Sequence, residues 1–221
     1  MIPPEENAAF VCGMEHTLDL YQQPYDPAEP VVCVDEKSKQ LISEVRTPLP
    51  MEPGMPQRYD SHYKREGTVN IFIAFEPLRN WRGTKVTAQR TQVDFAHFIK
   101  WLVDEVYADA HLIHLVLDNL NTHTPAAFYE AFSPAEAHRL AQRVQFHYTP
   151  KHGSWLNMAE IELSIMSRQA LAERMPDRAS VERAVTAWEM ERNQAQASIN
   201  WRFTTPDARI KLKRLYPSFD S

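Results

Sequence analysis

The sequence predicts an α/β fold, a five-stranded mixed sheet flanked by helices, on three observations. Apolar runs rich in β-branched residues alternate with helical periodicities in the order β-β-β-α-β-α-β-α, with a helical C-terminal extension. The first three strands come with no helical pattern between them, as in an antiparallel meander, and helices separate the later ones, as crossover units require. At 221 residues, 43% apolar and 24% charged, the chain holds one sizeable core and no low-complexity tract or internal repeat.

Residues 1–30 read as an N-terminal appendage: a helical pattern over 7–20, then Pro24, Pro27 and Pro30, which force an extended or turning path. Residues 31–35 form an unbroken apolar strand suited to burial on both faces. Four prolines and one glycine in 47–56 resist both helix and central strand and mark a surface loop. Strands follow at 68–75 and 84–88, joined by a hairpin-like turn at 80–83. Phe95, Phe98, Ile99, Leu102, Val103 and Val106 recur at i, i+3, i+4 spacing, predicting an amphipathic helix over 94–107 with Thr91 or Gln92 at its start. Residues 111–117 return to strand. Pro125 and Pro134 each open a short helix, because proline suits a first helical turn, and 144–148 is the fifth strand. Helices are expected over about 157–173 and 180–197, ahead of a basic segment at 209–214. The predicted organisation is an appendage at 1–30, a catalytic domain at 31–175 and a helical extension at 176–221 packed on it.

A net charge of −5 argues against simple electrostatic binding of nucleic acid, but the charge is uneven. Residues 1–60 carry 11 acidic and 4 basic side chains, leaving 18 acidic and 20 basic over 61–221. Bound Mg²⁺ would add positive charge that this count ignores. Two cysteines, Cys12 and Cys33, form no disulfide framework and fit a reducing compartment. With no signal-peptide pattern and no apolar run of about 18 residues, a cytoplasmic protein without membrane contact is expected.

Three acids stand at the edges of predicted core elements: Asp35 ends the first strand, Asp118 follows Leu115-Val116-Leu117, and Glu160 opens a helix. A carboxylate ending an apolar strand is costly to desolvate unless a cation meets it, so three converging on one place indicate bound divalent metal. Two hard cations clamping the attacking and leaving oxygens of an in-line displacement make metal-dependent phosphoryl transfer the leading chemistry. Strand alternation puts Cys33 and Asp35 on one face and Val34 and Glu36 on the other. Asn119, Asn121 and His123 stand where they would orient a metal ligand or phosphate, or simply form a turn. Asn157-x-x-Glu160 also fits a capping box, in which the glutamate only returns to a backbone donor. On a helical wheel Glu160 shares a stripe with Ser164 and Ser167, small enough for close approach to the sheet. Glu162 falls about 160° away beside Gln169 and Glu173, a stripe that reads as solvated. A phosphate-cradling Gly-x-x-x-x-Gly-Lys-Ser/Thr is missing, and Lys37 stands where a haloacid-dehalogenase-type phosphatase needs a second aspartate.

Val-Cys-Val-Asp-Glu-Lys-Ser at 32–38, Leu-Asp-Asn-Leu-Asn-Thr-His at 117–123 and His-Tyr-Thr-Pro-Lys-His-Gly-Ser-Trp-Leu-Asn-Met-Ala-Glu-Ile-Glu at 147–162 together resemble the DDE transposases of bacterial insertion sequences related to the mariner superfamily. The likeness covers nearly the whole chain. It implies a ribonuclease H-like fold and makes Asp35, Asp118 and Glu160 a metal-binding catalytic triad, with 82 and 41 residues intervening and Glu162 as rival for the third place. The second interval is longer than is usual in mariner relatives, which places an insertion in the helix over 134–143. The resemblance implies two Mg²⁺ ions, with Mn²⁺ as a substitute, double-stranded DNA as transposon ends and target, and a homodimer in the active complex. Such transposases carry N-terminal helix-turn-helix modules, and Met1 stands only 34 residues before Asp35. DNA reading is therefore expected from a separate or frameshift-linked helix-turn-helix polypeptide, unless the chain is an inactive truncated relic.

Lys151 and His152, with Arg202, Arg209, Lys211, Lys213 and Arg214 interleaved with Trp201, Phe203 and Tyr216, are the expected DNA-backbone contacts, though a solvated helix face accounts for the second group nearly as well. His111-x-x-His114, and His147 with His152, are poor zinc ligands, the first pair facing opposite sides of a strand. Two readings compete with the transposase: a ribonuclease H-like nuclease or resolvase that hydrolyses without strand transfer, and a remnant that only binds DNA or partners.

Overall fold

The structure, a computed structural model, describes residues 2, 5, 7–45, 54 and 62–217. β1 (Val31–Glu44) pairs antiparallel with β2 (Tyr63–Glu76), and β2 antiparallel with β3 (Trp81–Thr87). On its other side β1 runs parallel to β4 (Ile113–Leu117), which is parallel to β5 (Val144–Tyr148). The order β3-β2-β1-β4-β5 is the mixed sheet the sequence predicts, in the ribonuclease H-like arrangement.

Both faces of the sheet are buried because helices cover both. Val32, Val34, Phe72, Leu115 and Leu117 pack on Phe95, Phe98 and Ile99 of α2 (Gln92–Trp101), Phe128 of α3 (Ala126–Ala131) and Leu140 of α4 (Pro134–Ala141). On the opposite face Val31, Cys33, Ile71, Ile73, Phe75 and Val116 meet Met158, Leu163 and Met166 of α5 (Met158–Gln169) and Val181, Val185 and Trp188 of α6 (Arg178–Gln194). A third cluster joins Phe10, Met14 and Leu18 of α1 (Ala8–Tyr21) to Leu156, Ala208 of α7 (Thr205–Lys211) and Leu215.

Several boundaries differ from expectation. β1 runs to Glu44 rather than 35, and β2 begins at Tyr63 rather than 68, because each half supplies the other's backbone partners over polar residues such as Lys37↔Ile71 and Lys39↔Val69. The β2–β3 turn occupies 77–80, with Asn80 in a left-handed conformation (φ 54°), and Trp81 to Gly83 belong to β3. α2 stops at Trp101 and passes into a π-helical turn, Leu102–Val106. α5 ends at Gln169 because Met166 O accepts from both Ala170 N and Leu171 N, turning Leu171 into the core. α7 replaces what reads as a basic tail; its Thr204–Asp207 capping box was legible in Thr-Thr-Pro-Asp. The proline-rich stretch 47–56 lies, Gly54 aside, outside the described residues.

β3 is an edge strand whose outward backbone groups are taken by α6. Asn193 accepts from Arg82 N (2.9 Å) and donates to Arg82 O (2.7 Å), while Glu189 accepts from Thr84 N (2.7 Å). The open edge is thereby closed to strand addition. Among the described residues no helix is long and apolar enough to cross a membrane.

Three imidazoles tie α1 to the parallel edge of the sheet. His147 Nδ1 lies 2.7 Å from His16 Nε2 and its Nε2 lies 2.9 Å from His114 Nδ1, with Glu29 3.6 Å beyond His114. Burial first, and then the neighbouring His114 and His16, push His147 down from 6.5 to about 4. Between those values the unfolded chain binds more protons than the folded one, so stability falls as pH drops from about 6.5 to 4, by up to about 3 kcal/mol. Urea midpoints at pH 7 and pH 4.5 should show this drop in the native chain and a shallower one in His147→Gln; equal drops in both would contradict it.

Candidate active site

β1 and β4 are neighbours in parallel register, Cys33 opposite Val116, so Asp35 and Asp118 each lie two residues further toward the carboxyl ends of strands spaced roughly 4.8 Å apart. That end of a parallel pair is where α/β sheets place their ligands. Glu160 reaches the same end from the first turn of α5. Asn157, the N-cap of α5, accepts from Ala159 N (3.1 Å) and donates its amide to Val34 O (2.9 Å), fixing the helix start to the backbone one residue before Asp35. Burial pushes the Cys33 thiol up to about 11, against the lowering effect of the Tyr21 hydroxyl and of the Met158 and Ala159 backbone. Tyr21 closes this anchor from α1, its hydroxyl 3.2 Å from Cys33 Sγ and donating to Leu156 O at 2.8 Å.

The capping role for Glu160 is not realised. Asn157 N donates to Ser154 O instead, whereas reciprocal capping boxes form at Thr91–Asp94 and Thr204–Asp207. Met158, Ala159, Glu162, Leu163 and Met166 are the residues of α5 that turn inward, while Ser164 is exposed, so the Glu160–Ser164–Ser167 stripe does not pack close to the sheet as expected. It leaves Glu160 half-buried at the rim of the site.

Burial lifts Asp35 to about 7; the Glu36 N–H, donating to Asp35 Oδ1 at 2.8 Å, opposes this, and the like charges of Asp118, Glu36 and Glu160 add to it. Asp35 therefore feels the charge of both other acids of the proposed triad. Their all-oxygen donor set fits a hard divalent cation, which would relieve that repulsion. Among the described residues no three His, Cys, Asp or Glu side chains already enclose an ion-sized space. Asp118 Oδ1 is turned toward His123, 2.7 Å from Nδ1.

His123 is fully buried and bridges the two sides of the sheet end: its Nε2 lies 2.9 Å from Glu36 Oε2. Burial disfavours the charged ring, yet the hydrogen bonds to Asp118 and Glu36 outweigh it and lift His123 to about 9. Glu36 was not recognised as a site residue from the sequence; the available signal was that it shares the buried face of Val32 and Val34. Its other oxygen lies 3.8 Å from Arg90, beside an open hollow of about 300 Å³ lined by Glu36, Arg90, Asn119, Leu120, Asn121 and Thr122. Asn119 is exposed on this rim.

Glu162 is not solvated. It is fully buried, 2.9 Å from Arg192 and 3.1 Å from both Nη2 and Nε of the equally buried Arg82; the Nε contact is off-line and acts by charge alone. α6 covers this face of α5 and supplies Arg192, which the helical wheel alone does not reveal. Of the expected DNA contacts, Lys151 and His152 are exposed on the turn after β5, His152 in a left-handed conformation (φ 69°). Arg209 is engaged by Glu15 of α1 (2.8 and 3.0 Å), and Lys211 lies 3.6 Å from Asp207 and over the Phe203 ring. Arg202 donates to Asn200, and Lys213 and Arg214 are exposed beyond α7.

The DDE superfamily endonuclease family matches residues 30–182, which include all five strands and α5. No curated protein matches the chain. Among solved structures, the Mos1 strand transfer complex is 15% identical with a TM-score of 0.59, covering 89% of this chain and 59% of that one. The Mos1 mariner paired end complex with Mn gives 14%, 0.57, 89% and 60%, and the paired end complex with Mg 13%, 0.56, 99% and 66%. The chain thus spans about six tenths of the length of these Mos1 chains, and at such identity the likeness is one of fold. The family match spans the whole sheet and more than half of the chain, and the chain belongs to the DDE superfamily endonucleases.

Proposed function

We propose that this chain is the catalytic domain of a mariner-related transposase, cutting DNA at transposon ends and joining them to a target duplex. The observation that carries the reading is the placement of Asp35 and Asp118 just beyond Cys33 and Val116, where the parallel pairing of β1 with β4 ends, with Glu160 on a helix pinned to Val34. Asp35, Asp118 and Glu160 would hold two Mg²⁺ ions, with Mn²⁺ as a substitute. Bound there, the metal supplies activation of water or a 3′ hydroxyl and stabilisation of the in-line displacement. The protein's own contribution is positional: Asn157 fixes the start of α5, and the strand register sets the spacing of the two aspartates. Lys151 and His152 lie on the turn leading into α5 and would meet the DNA backbone, joined by Arg202, Lys211, Lys213 and Arg214. Arg209 would exchange Glu15 for a phosphate.

The catalytic unit is 31–175, with 1–30 and 176–221 packed on it. A homodimer acting on paired ends, and a helix-turn-helix polypeptide reading the terminal repeat, complete the proposal. The test is incubation with labelled 3′-hydroxyl DNA ends, a target duplex and Mg²⁺. Joined product is the expected result. Hydrolysis without joining would favour the nuclease reading, and DNA binding indifferent to Mg²⁺ and to Asp118→Asn, with no cleavage, the inactive remnant.

A further inference from the structure

We infer that Glu36, acting through His123, is a positioning residue for Asp118, so that the acidic pair Asp35-Glu36 divides its work between the two faces of the sheet. The inference rests on the proposed role of Asp118 as a metal ligand. Four observations carry it. Glu36 points away from Asp35, onto the face of Val32 and Val34, and its side chain is 2% exposed. His123, with no exposed surface, touches Glu36 and Asp118 through its two ring nitrogens, at 2.9 and 2.7 Å. The ring has little freedom to turn: Phe95 lies against it with centroids 4.8 Å apart, Tyr148 donates to His123 O at 2.7 Å, and His123 N donates to Leu120 O at 3.0 Å. Asp118 itself is 30% exposed and stands beyond the last residue of β4, so the strand ladder does not fix its carboxylate.

A carboxylate just past a strand end rotates freely about two side-chain bonds. The His123 contact holds Oδ1 and leaves Oδ2 for a cation, and Glu36 holds the ring that holds Asp118. Partners of this kind orient metal ligands, and losing one costs about 10- to 100-fold in metal affinity or activity. Glu36 touches neither substrate nor metal in this scheme.

Asparagine and glutamine at 123 separate the two contacts, because the amide nitrogen of asparagine takes the place of Nδ1 and that of glutamine the place of Nε2. Mn²⁺ binding, followed by electron paramagnetic resonance on the full chain without DNA, reads the effect independently of turnover. Glu36→Ala and His123→Gln should weaken Mn²⁺ binding about tenfold or more. Glu36→Gln, which still accepts from the ring, and His123→Asn, which still reaches Asp118, should recover most of it. DNA cleavage should follow the same order, with a raised Mg²⁺ requirement and an unchanged KM for DNA. Should Glu36→Ala fail to fold, the contrast between His123→Gln and His123→Asn decides the matter. Equal Mn²⁺ affinity in all variants, or equal loss in all, would overturn the inference. Asp118→Asn is the control for the underlying reading: if it binds Mn²⁺ like the native chain, the site assignment fails, whereas a loss there with no effect at 36 and 123 removes only the positioning role.

Discussion

Asp118→Asn should reduce DNA cleavage by more than about 100-fold while leaving the thermal midpoint within a few degrees of the native value. Changes to residues that merely support a metal ligand already cost about 10- to 100-fold, so loss of a ligand costs more. Asparagine keeps the shape of aspartate and can still engage the His123 ring, but it removes the negative charge that a hard cation requires. Asp35→Asn and Glu160→Gln should behave alike. Asp35 is the most informative of the three for stability, because its ionised form is disfavoured by burial and by Asp118, Glu36 and Glu160 around it. Neutralising it relieves repulsion, so Asp35→Asn should unfold no more easily than the native chain. Gel-resolved cleavage beside a thermal melt checks both halves. Retained cleavage in any of the three variants would remove that residue from the triad.

Glu162→Ala should show the opposite pattern, a large loss of stability. Glu162 is the common anion for Arg82 and Arg192, and both Glu162 and Arg82 have no exposed side-chain surface. Arg82 also donates to Ala197 O at 2.6 Å and to Asn80 O at 3.1 Å, so it cannot leave the interior to find water. Removing one partner of such a pair leaves an uncompensated buried charge, at about 3–5 kcal/mol. In a chain of this size that lowers Tm by roughly 10 °C. Replacing Glu162 and Arg82 together by apolar residues of similar volume should recover much of the loss. A Glu162→Ala chain as stable as the native one, yet inactive, would return Glu162 to contention as the third catalytic acid.

The contrast between Glu160 and Glu162 shows where sequence reasoning reaches and where it stops. Strand alternation in Val31 to Glu36 was enough to separate the faces of Asp35 and Glu36, and Asn157 was enough to mark the start of α5, because these signals are local and periodic. The burial of Glu162 was not legible, since it depends on α6 returning across α5 with Arg192 and on β3 supplying Arg82. The outer halves of β1 and β2 were hidden for a similar reason: Lys37 to Gln40 carry no apolar alternation, and pairing with the opposite strand makes them extended. Alternation gave Glu36 only a face, opposite Asp35, and its partner His123 is 87 residues away. The three-histidine link between α1, β4 and β5 likewise joins residues that no spacing rule connects.

In the proposed function Asp35, Asp118 and Glu160 gather hard divalent cations at the end of the β1–β4 pairing. Crystals soaked in Mn²⁺ and measured at the manganese absorption edge test it most directly. Anomalous density bounded by oxygens of all three side chains at roughly 2.0–2.6 Å is expected in the native crystal and absent in Asp118→Asn. Density elsewhere, or none in the native crystal at saturating Mn²⁺, would contradict it.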